Sequence, residues 1–199
     1  MQRLDAEQDD QSIADAAKNF NRLEHVLLQN RTLTLFGEIN QDVARRMAEK
    51  LLALAFESDE PITLYIGSPG GHVESGDTIF DLIRYIKPEV RIIGTGWVGS
   101  IATHIYLAAD KDNRFALPNT RFLIHQPSGG FGGDAADIEI HAREILKTRE
   151  RINGIIAERT GQSIDRVGED TQRDYWMSAE ESVEYGLVGK IISDISEVD

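Results

Sequence analysis

Cysteine is absent from the 199 residues, which removes disulfides, thiolate nucleophiles and thiolate metal sites and leaves the redox compartment open. Any nucleophile must then be an oxygen. Positive charge is scarce: 21 Lys and Arg stand against 34 Asp and Glu, a formal net charge of -13. A field of that sign repels phosphate backbones and anionic lipid, which argues against nucleic acid or a membrane as principal partner. Long apolar runs are missing as well, and no stretch approaches the roughly 20 residues needed to span a bilayer. Residues 1–19 are acidic and alanine-rich, with neither the basic-then-apolar order of a secretory signal nor the arginine content of a transit peptide. Cytoplasmic residence is the expectation. Internal repeats and low-complexity linkers are lacking too, so the chain reads as an acidic lead, 1–19, and one domain, 20–199.

What is present is an alternation of strand and helix periods. A short helical pattern runs from Phe20 to Leu28, and Thr32-Leu33-Thr34-Leu35-Phe36 alternates as a strand and stops at Gly37. Val43, Met47, Leu51, Leu54 and Ala55 recur at helical spacing, and Ile62 to Ile66 forms the next strand. Ser68-Pro69-Gly70-Gly71 precedes a helix carrying Ile79, Leu82, Ile83 and Ile86; Val90 to Thr95 is a strand and Ser100 to Ala109 an apolar helix. Repeated units of this kind imply an α/β fold with parallel strands. Further on, Phe122 to His125 reads as a buried strand and Ser128 to Gly133 as a glycine-rich loop. A long helix then extends to about Arg159, with Asp134 as cap and Ile138, Ala142, Ile145, Ile152 and Ile156 along one stripe. The chain ends as strand Tyr175 to Met177, helix Ser178 to Tyr185 with a Ser178/Glu181 capping box, and strand Val188 to Ser193.

Chemistry can reside at few places. In Gly94-Thr95-Gly96-Trp97-Val98-Gly99-Ser100 a glycine-rich strand turns into a helix with a serine at the junction. The helix dipole favours negative charge there, which suits an attacking oxygen, and serine is equally a common helix cap. His125 leaves the sheet at the carboxyl edge, where α/β sites lie, and reads as a base or as a core histidine. His104, one helical turn after Ser100, is a rival base that would have to reach back along its own helix. His72 borders the Ser68 to Gly71 turn; His25 and His141 read as surface residues. Asp174 reads as a solvated carboxylate or as the group that orients an imidazole. Gly70-Gly71 before a helix start can hold an oxyanion, and without a lysine the turn fits neither common nucleotide fingerprint.

These segments resemble, in order, those of the Clp protease proteolytic subunit family. Leu64 to Gly71 is similar to its oxyanion segment, Gly99-Ser100 to its nucleophile segment, and Leu117 to Pro127 to its histidine segment. Ala136 to Leu146 is similar to its handle helix, in a handle region of about 126–160, and Arg173 to Glu181 with Tyr185 to Val188 to its aspartate segment. The resemblance implies a crotonase-like fold and a serine endopeptidase with the triad Ser100, His125, Asp174 and oxyanion donors from the amides of Gly71 and Ile101. It implies two stacked heptameric rings enclosing a chamber for peptide substrates, and no cofactor in this chain, since ATP is used by a partner unfoldase. Arg173 beside Asp174 would link assembly to activity. Some positions depart from the family pattern: Trp97-Val98-Gly99 before the serine, Ile101-Ala102 after it, Gly67, and Thr63 and Thr95 where unfoldase-docking pockets carry larger residues, although Tyr65, Tyr85, Phe115 and Leu117 suit such pockets. Two other readings stand beside this one: a silent ring subunit paired with an active paralogue, and a crotonase acting on acyl-CoA.

Overall fold

The computed structural model describes residues 22–130 and 132–198, so the acidic lead lies outside the described residues. A helix covers 22–29 (α1), and β1 (Thr32–Phe36) buries Leu33 and Leu35 while its alternate residues face outward, as the two-residue period requires. Asn40 caps α2 (Gln41–Glu57), its side chain accepting from the Val43 amide, and the helix lays Ala44, Met47, Leu51 and Leu54 on the sheet. β2 (Ile62–Ser68), α3 (Val73–Tyr85) and β3 (Val90–Gly99) repeat the unit, and α4 (Ile101–Tyr106) follows Ser100 directly.

Strands β1, β2, β3, β4 (Arg114–Ala116) and β7 (Lys190–Ile191) lie side by side in that order and all pair in parallel. The ten-residue β3 serves two partners on one flank. Its first half pairs with β4, and Trp97 to Gly99 pair with β5 (Arg121–Ile124), which in turn pairs antiparallel with β6 (Tyr175–Met177). That fork positions the site, because everything chemical lies where β3 changes partner.

The long helix α5 (Ala135–Thr160) divides into two halves. Ile152 and Ile156 are buried against the core, whereas Ile138, Ile140 and Leu146 stand in solvent at 47, 55 and 53% exposure, so the expected apolar stripe packs at its end and projects at its start. Gly161 closes α5 in the left-handed conformation. Asp134 precedes the helix without a side-chain cap bond, contrary to the cap expected there, whereas the capping box of Ser178 and Glu181 on α7 (Ala179–Tyr185) is fully formed.

Two elements were not expected from the sequence. β4 contains the buried Arg114, a residue that masks a strand pattern; its guanidinium donates to the Arg159 carbonyl, and burial lowers its pKa to about 10. Helix α6 (Ile164–Asp170) buries Val167 alone and so carries little periodicity. The last strand is also shorter than the alternation of Val188 to Ser193 suggested. A small second core of Ile93, Phe115, Ile192 and Val198 closes the far side of the sheet, which makes Phe115 interior rather than a surface contact.

Candidate active site

Ser100 sits between the end of β3 and the start of α4 with φ 56° and ψ -127°, a region that side-chain-bearing residues rarely occupy. Such strain is held only by a surrounding structure that fixes it. The Ser100 amide donates to the Leu123 carbonyl at 2.9 Å, and Thr103 Oγ1 lies 2.9 Å from both the Val98 and Leu123 carbonyls, tying the turn to β3 and β5 together. The serine makes no side-chain cap bond, so the helix-cap alternative fails. Its hydroxyl instead lies 2.7 Å from His125 Nε2.

His125 follows β5 by one residue and is the first residue clear of the sheet. The antiparallel register of β5 and β6, with Ile124 opposite Tyr175, sets His125 beside Asp174. Nδ1 of the imidazole lies 3.2 Å from Asp174 Oδ1, and the Gln126 amide donates to the Thr171 carbonyl at 2.7 Å, holding the two segments in step. The imidazole is half-buried and Asp174 remains open to solvent.

The Ser68 to Gly71 turn lies against the same helix start. Gly70 and Gly71 have φ 102° and 149°, and a Cβ at Gly70 would fall 2.7 Å from Ser100 Cβ and 3.1 Å from the Ile101 nitrogen, so the backbone approach excludes any side chain. Ile39 exchanges ladder bonds with the Gly70 carbonyl and the His72 amide, which bypasses the Gly71 N–H. Ile101 opens α4, and the first amides of a helix have no intrahelical acceptor. The Ile101 amide thus adjoins the serine, and Gly71 follows directly on the glycine packed against it. The Ser68 hydroxyl stiffens the turn, donating to the Gly37 carbonyl and accepting from the Gly70 amide.

The other histidines are accounted for. His104 is engaged elsewhere: its ring stacks on Phe80, centroids 4.3 Å apart, and its Nε2 lies 3.1 Å from Asp77 Oδ1. It is not a second base. Burial raises the Asp77 carboxyl, but hydrogen bonds from His104 and Arg151 outweigh it and hold the group down at about 2. His72 Nδ1 pairs with the Ser75 hydroxyl at 2.9 Å, and His25 and His141 are on the surface as expected. Among the described residues, no group of three or more His, Cys, Asp or Glu is disposed to hold a metal, and no helix is long and apolar enough to cross a membrane.

The Clp protease family model matches residues 15–194. The chain belongs to the Clp protease family. Among curated relatives, ATP-dependent Clp protease proteolytic subunit 3 of Rhizobium etli is 54% identical over 172 residues, covering 86% of this chain and 89% of the relative. ATP-dependent Clp protease proteolytic subunit 2 of Pseudomonas aeruginosa is 50% identical over 177 residues, covering 89 and 88%. A solved structure of a ClpP1 variant from Listeria monocytogenes superposes with a TM-score of 0.84 at 50% identity, covering 89% of this chain and 99% of that one. The crotonase-like, ClpP-type fold and serine endopeptidase activity follow from this membership.

The structure brings Ser100, His125 and Asp174 together, with Ile101 next to the serine and Gly71 one residue on from the glycine packed against it. Sequence reasoning missed the role of Asp77, which α3 presents to both His104 on α4 and Arg151 on α5. Three helices far apart in the chain meet there, and no spacing within one segment could signal it.

Proposed function

We propose that Ser100, His125 and Asp174 are the catalytic triad of this Clp-type peptidase and that the Gly71 and Ile101 amides form its oxyanion hole. The observation that carries this is a strained serine whose hydroxyl is 2.7 Å from an imidazole nitrogen. His125 Nε2 takes the hydroxyl proton as Oγ bonds to the peptide carbonyl carbon, and the carbonyl π electrons move onto the oxygen that the two amides hold. The intermediate collapses, the C–N bond breaks, and the amine leaves with the proton that His125 carried. Water, deprotonated by the same nitrogen, then attacks the acyl-enzyme and frees Ser100. Asp174 accepts from Nδ1–H, fixing the tautomer and stabilising the imidazolium.

The subunit works in stacked heptameric rings whose sites face an enclosed chamber, and no cofactor enters the chemistry. The projecting half of α5, with Ile138, Ile140 and Leu146 exposed, supports ring contact through the handle region. Arg173, exposed beside Asp174, is positioned to report assembly to the triad. The relatives' subunit numbers support a paralogue and hence mixed rings. An ATP-driven unfoldase is the proposed cytoplasmic partner, and Tyr85 and Phe56, 80 and 87% exposed, support such docking. An idle subunit would have no use for a backbone strained at its serine. The test is Ser100→Ala: loss of peptide hydrolysis on the order of 10⁶-fold is expected, and retained turnover would refute the assignment.

A further inference from the structure

Helix α4 has six residues, too few to hold itself together, so contacts with its neighbours decide where it sits. Ser100 and the Ile101 amide are at its start, and two consecutive residues of α3 meet it. Gly76 leaves the notch that the Ile101 side chain fills, since a Cβ there would fall 2.1 Å from Cγ1. Asp77 meets His104, three residues on from Ile101 and so on the same side of α4, with Oδ1 3.1 Å from Nε2. The imidazole is 2% exposed and stacks on Phe80, and no well-directed hydrogen bond reaches it from elsewhere among the described residues. The same carboxylate is gripped from α5: Arg151 Nη1 lies 2.8 Å from Oδ1 and Nη2 2.6 Å from Oδ2. Paired in this way it can only accept, so Nε2 turns its hydrogen toward it. Packing alone does not call for charges at this crossing, because apolar groups of similar volume often hold buried elements at least as firmly as an ion pair. What a two-pronged guanidinium contact adds is direction.

Resting on the assignment of Ser100 as nucleophile and of the Ile101 amide as oxyanion donor, we propose that Asp77 is a positioning residue for the chemical step: anchored on α5 by Arg151 and holding α4 through His104, it sets the α4 start, and with it the Ile101 N–H, against the oxyanion. Asp77 acts through another side chain and does no chemistry itself. Arg151 acts one contact further away, so a charge removed from α5 is felt at the oxyanion donor through two side-chain contacts. The loss falls on the transition state, where the carbonyl oxygen becomes charged, and not on the binding of the peptide.

The experiment follows hydrolysis of a fluorogenic peptide by the assembled full-length protein, each preparation titrated with a fluorophosphonate so that kcat is counted per reactive site. The variants are Arg151→Met, Arg151→Lys, Asp77→Asn, His104→Leu and Ser100→Ala. A misplacement of about 1 Å costs on the order of 10²-fold, and loss of the anchor alone should cost about tenfold. Arg151→Met should lower kcat and kcat/KM together by that factor, the mark of an interaction made only in the transition state. Arg151→Lys, which keeps the charge without the fork, should recover part of it. Arg151 and His104 act through the same carboxylate, so Arg151→Met combined with His104→Leu should lose far less than the product of the single losses. Unchanged kcat per site in Arg151→Met, with only Tm or the labelled fraction reduced, would make the network a structural brace and overturn the proposal. Single losses that multiply would overturn it too. Should His104→Leu fail to assemble, Asp77→Asn is read in its place: it must lower kcat per site at least as far as Arg151→Met, and a smaller loss overturns the proposal. Turnover that survives Ser100→Ala would instead sink the triad assignment, so the two failures are distinct.

Discussion

Gly76 lies on α3 where that helix crosses the start of α4, and a Cβ built on it would fall 2.1 Å from Ile101 Cγ1 and 3.1 Å from Cδ1. Ordinary carbon contacts are about 3.5–4.0 Å, so Gly76→Ala forces Ile101 back by roughly 1.5 Å. Ile101 is 3% exposed and branched at Cβ, so it cannot rotate away cheaply. Its own amide is an oxyanion donor in the proposed mechanism, and its side chain is a wall of the cavity beside Ser100. Alanine should gain about 0.8–1 kcal/mol of helix propensity, while overpacking costs about 1–3 kcal/mol. The net is a loss of up to about 2 kcal/mol, a fall in Tm of a few degrees. A donor displaced by about 1 Å should cost on the order of 10²-fold in kcat. Gly154→Ala in α5 is the matched control, since its Cβ would meet nothing within 4 Å. It should gain the propensity term alone, with activity unchanged. Thermal unfolding and peptide hydrolysis of both variants decide the matter. If Gly76→Ala matches Gly154→Ala in both assays, steric exclusion at the α3–α4 crossing is not what keeps glycine there.

Asp174→Asn should leave the fold intact and lower kcat on the order of 10⁴-fold, as tautomer loss does in another serine peptidase, measured by steady-state kinetics with circular dichroism as the control. Asp77 has a folded-state pKa depressed from 3.8 to about 2, so its contribution is fully present above about pH 4 and is lost as pH falls toward 2; acid titration of stability should show this limb weakened in Asp77→Asn. Trp97 and Trp176 stack with centroids 5.6 Å apart across β5, and the Arg121 guanidinium lies 4.5 Å from the Trp176 ring. Trp176→Ala should therefore cost about 1–2 kcal/mol in denaturant unfolding and shift the emission of Trp97. Ser178→Ala removes the half of the capping box in which the serine hydroxyl accepts from the Glu181 amide, while the Ser178 backbone N–H still donates to the Glu181 carboxylate, and should cost about 1 kcal/mol in the same assay.

Much of this was legible because the chemistry sits at strand ends that punctuate clearly. The glycines before Ser100 mark a sharp turn, and the apolar run before His125 marks a strand about to leave the sheet. Deciding between a capping and an attacking serine, however, needed the backbone angles of one residue and the 2.7 Å contact to a segment 25 positions away. Asp174 was distinguishable from the other acidic residues only through the β5–β6 register, an antiparallel pairing that a βα repeat does not announce. His104 was correctly placed on the Ser100 face of α4, but its meeting with Asp77 and Arg151 is a tertiary event among three helices. Arg114 and its strand stayed hidden because a buried charged side chain, bonded through one guanidinium nitrogen to a distant carbonyl, breaks the apolar pattern that betrays a buried strand.

The central claim is that one strained hydroxyl does the chemistry, and mapping the covalent adduct of a fluorophosphonate by peptide mass spectrometry tests it most directly. The account predicts a single adduct on the peptide containing Ser100, lost in Ser100→Ala and formed far more slowly in His125→Ala. An adduct on a different residue, or undiminished labelling of Ser100→Ala, would contradict it.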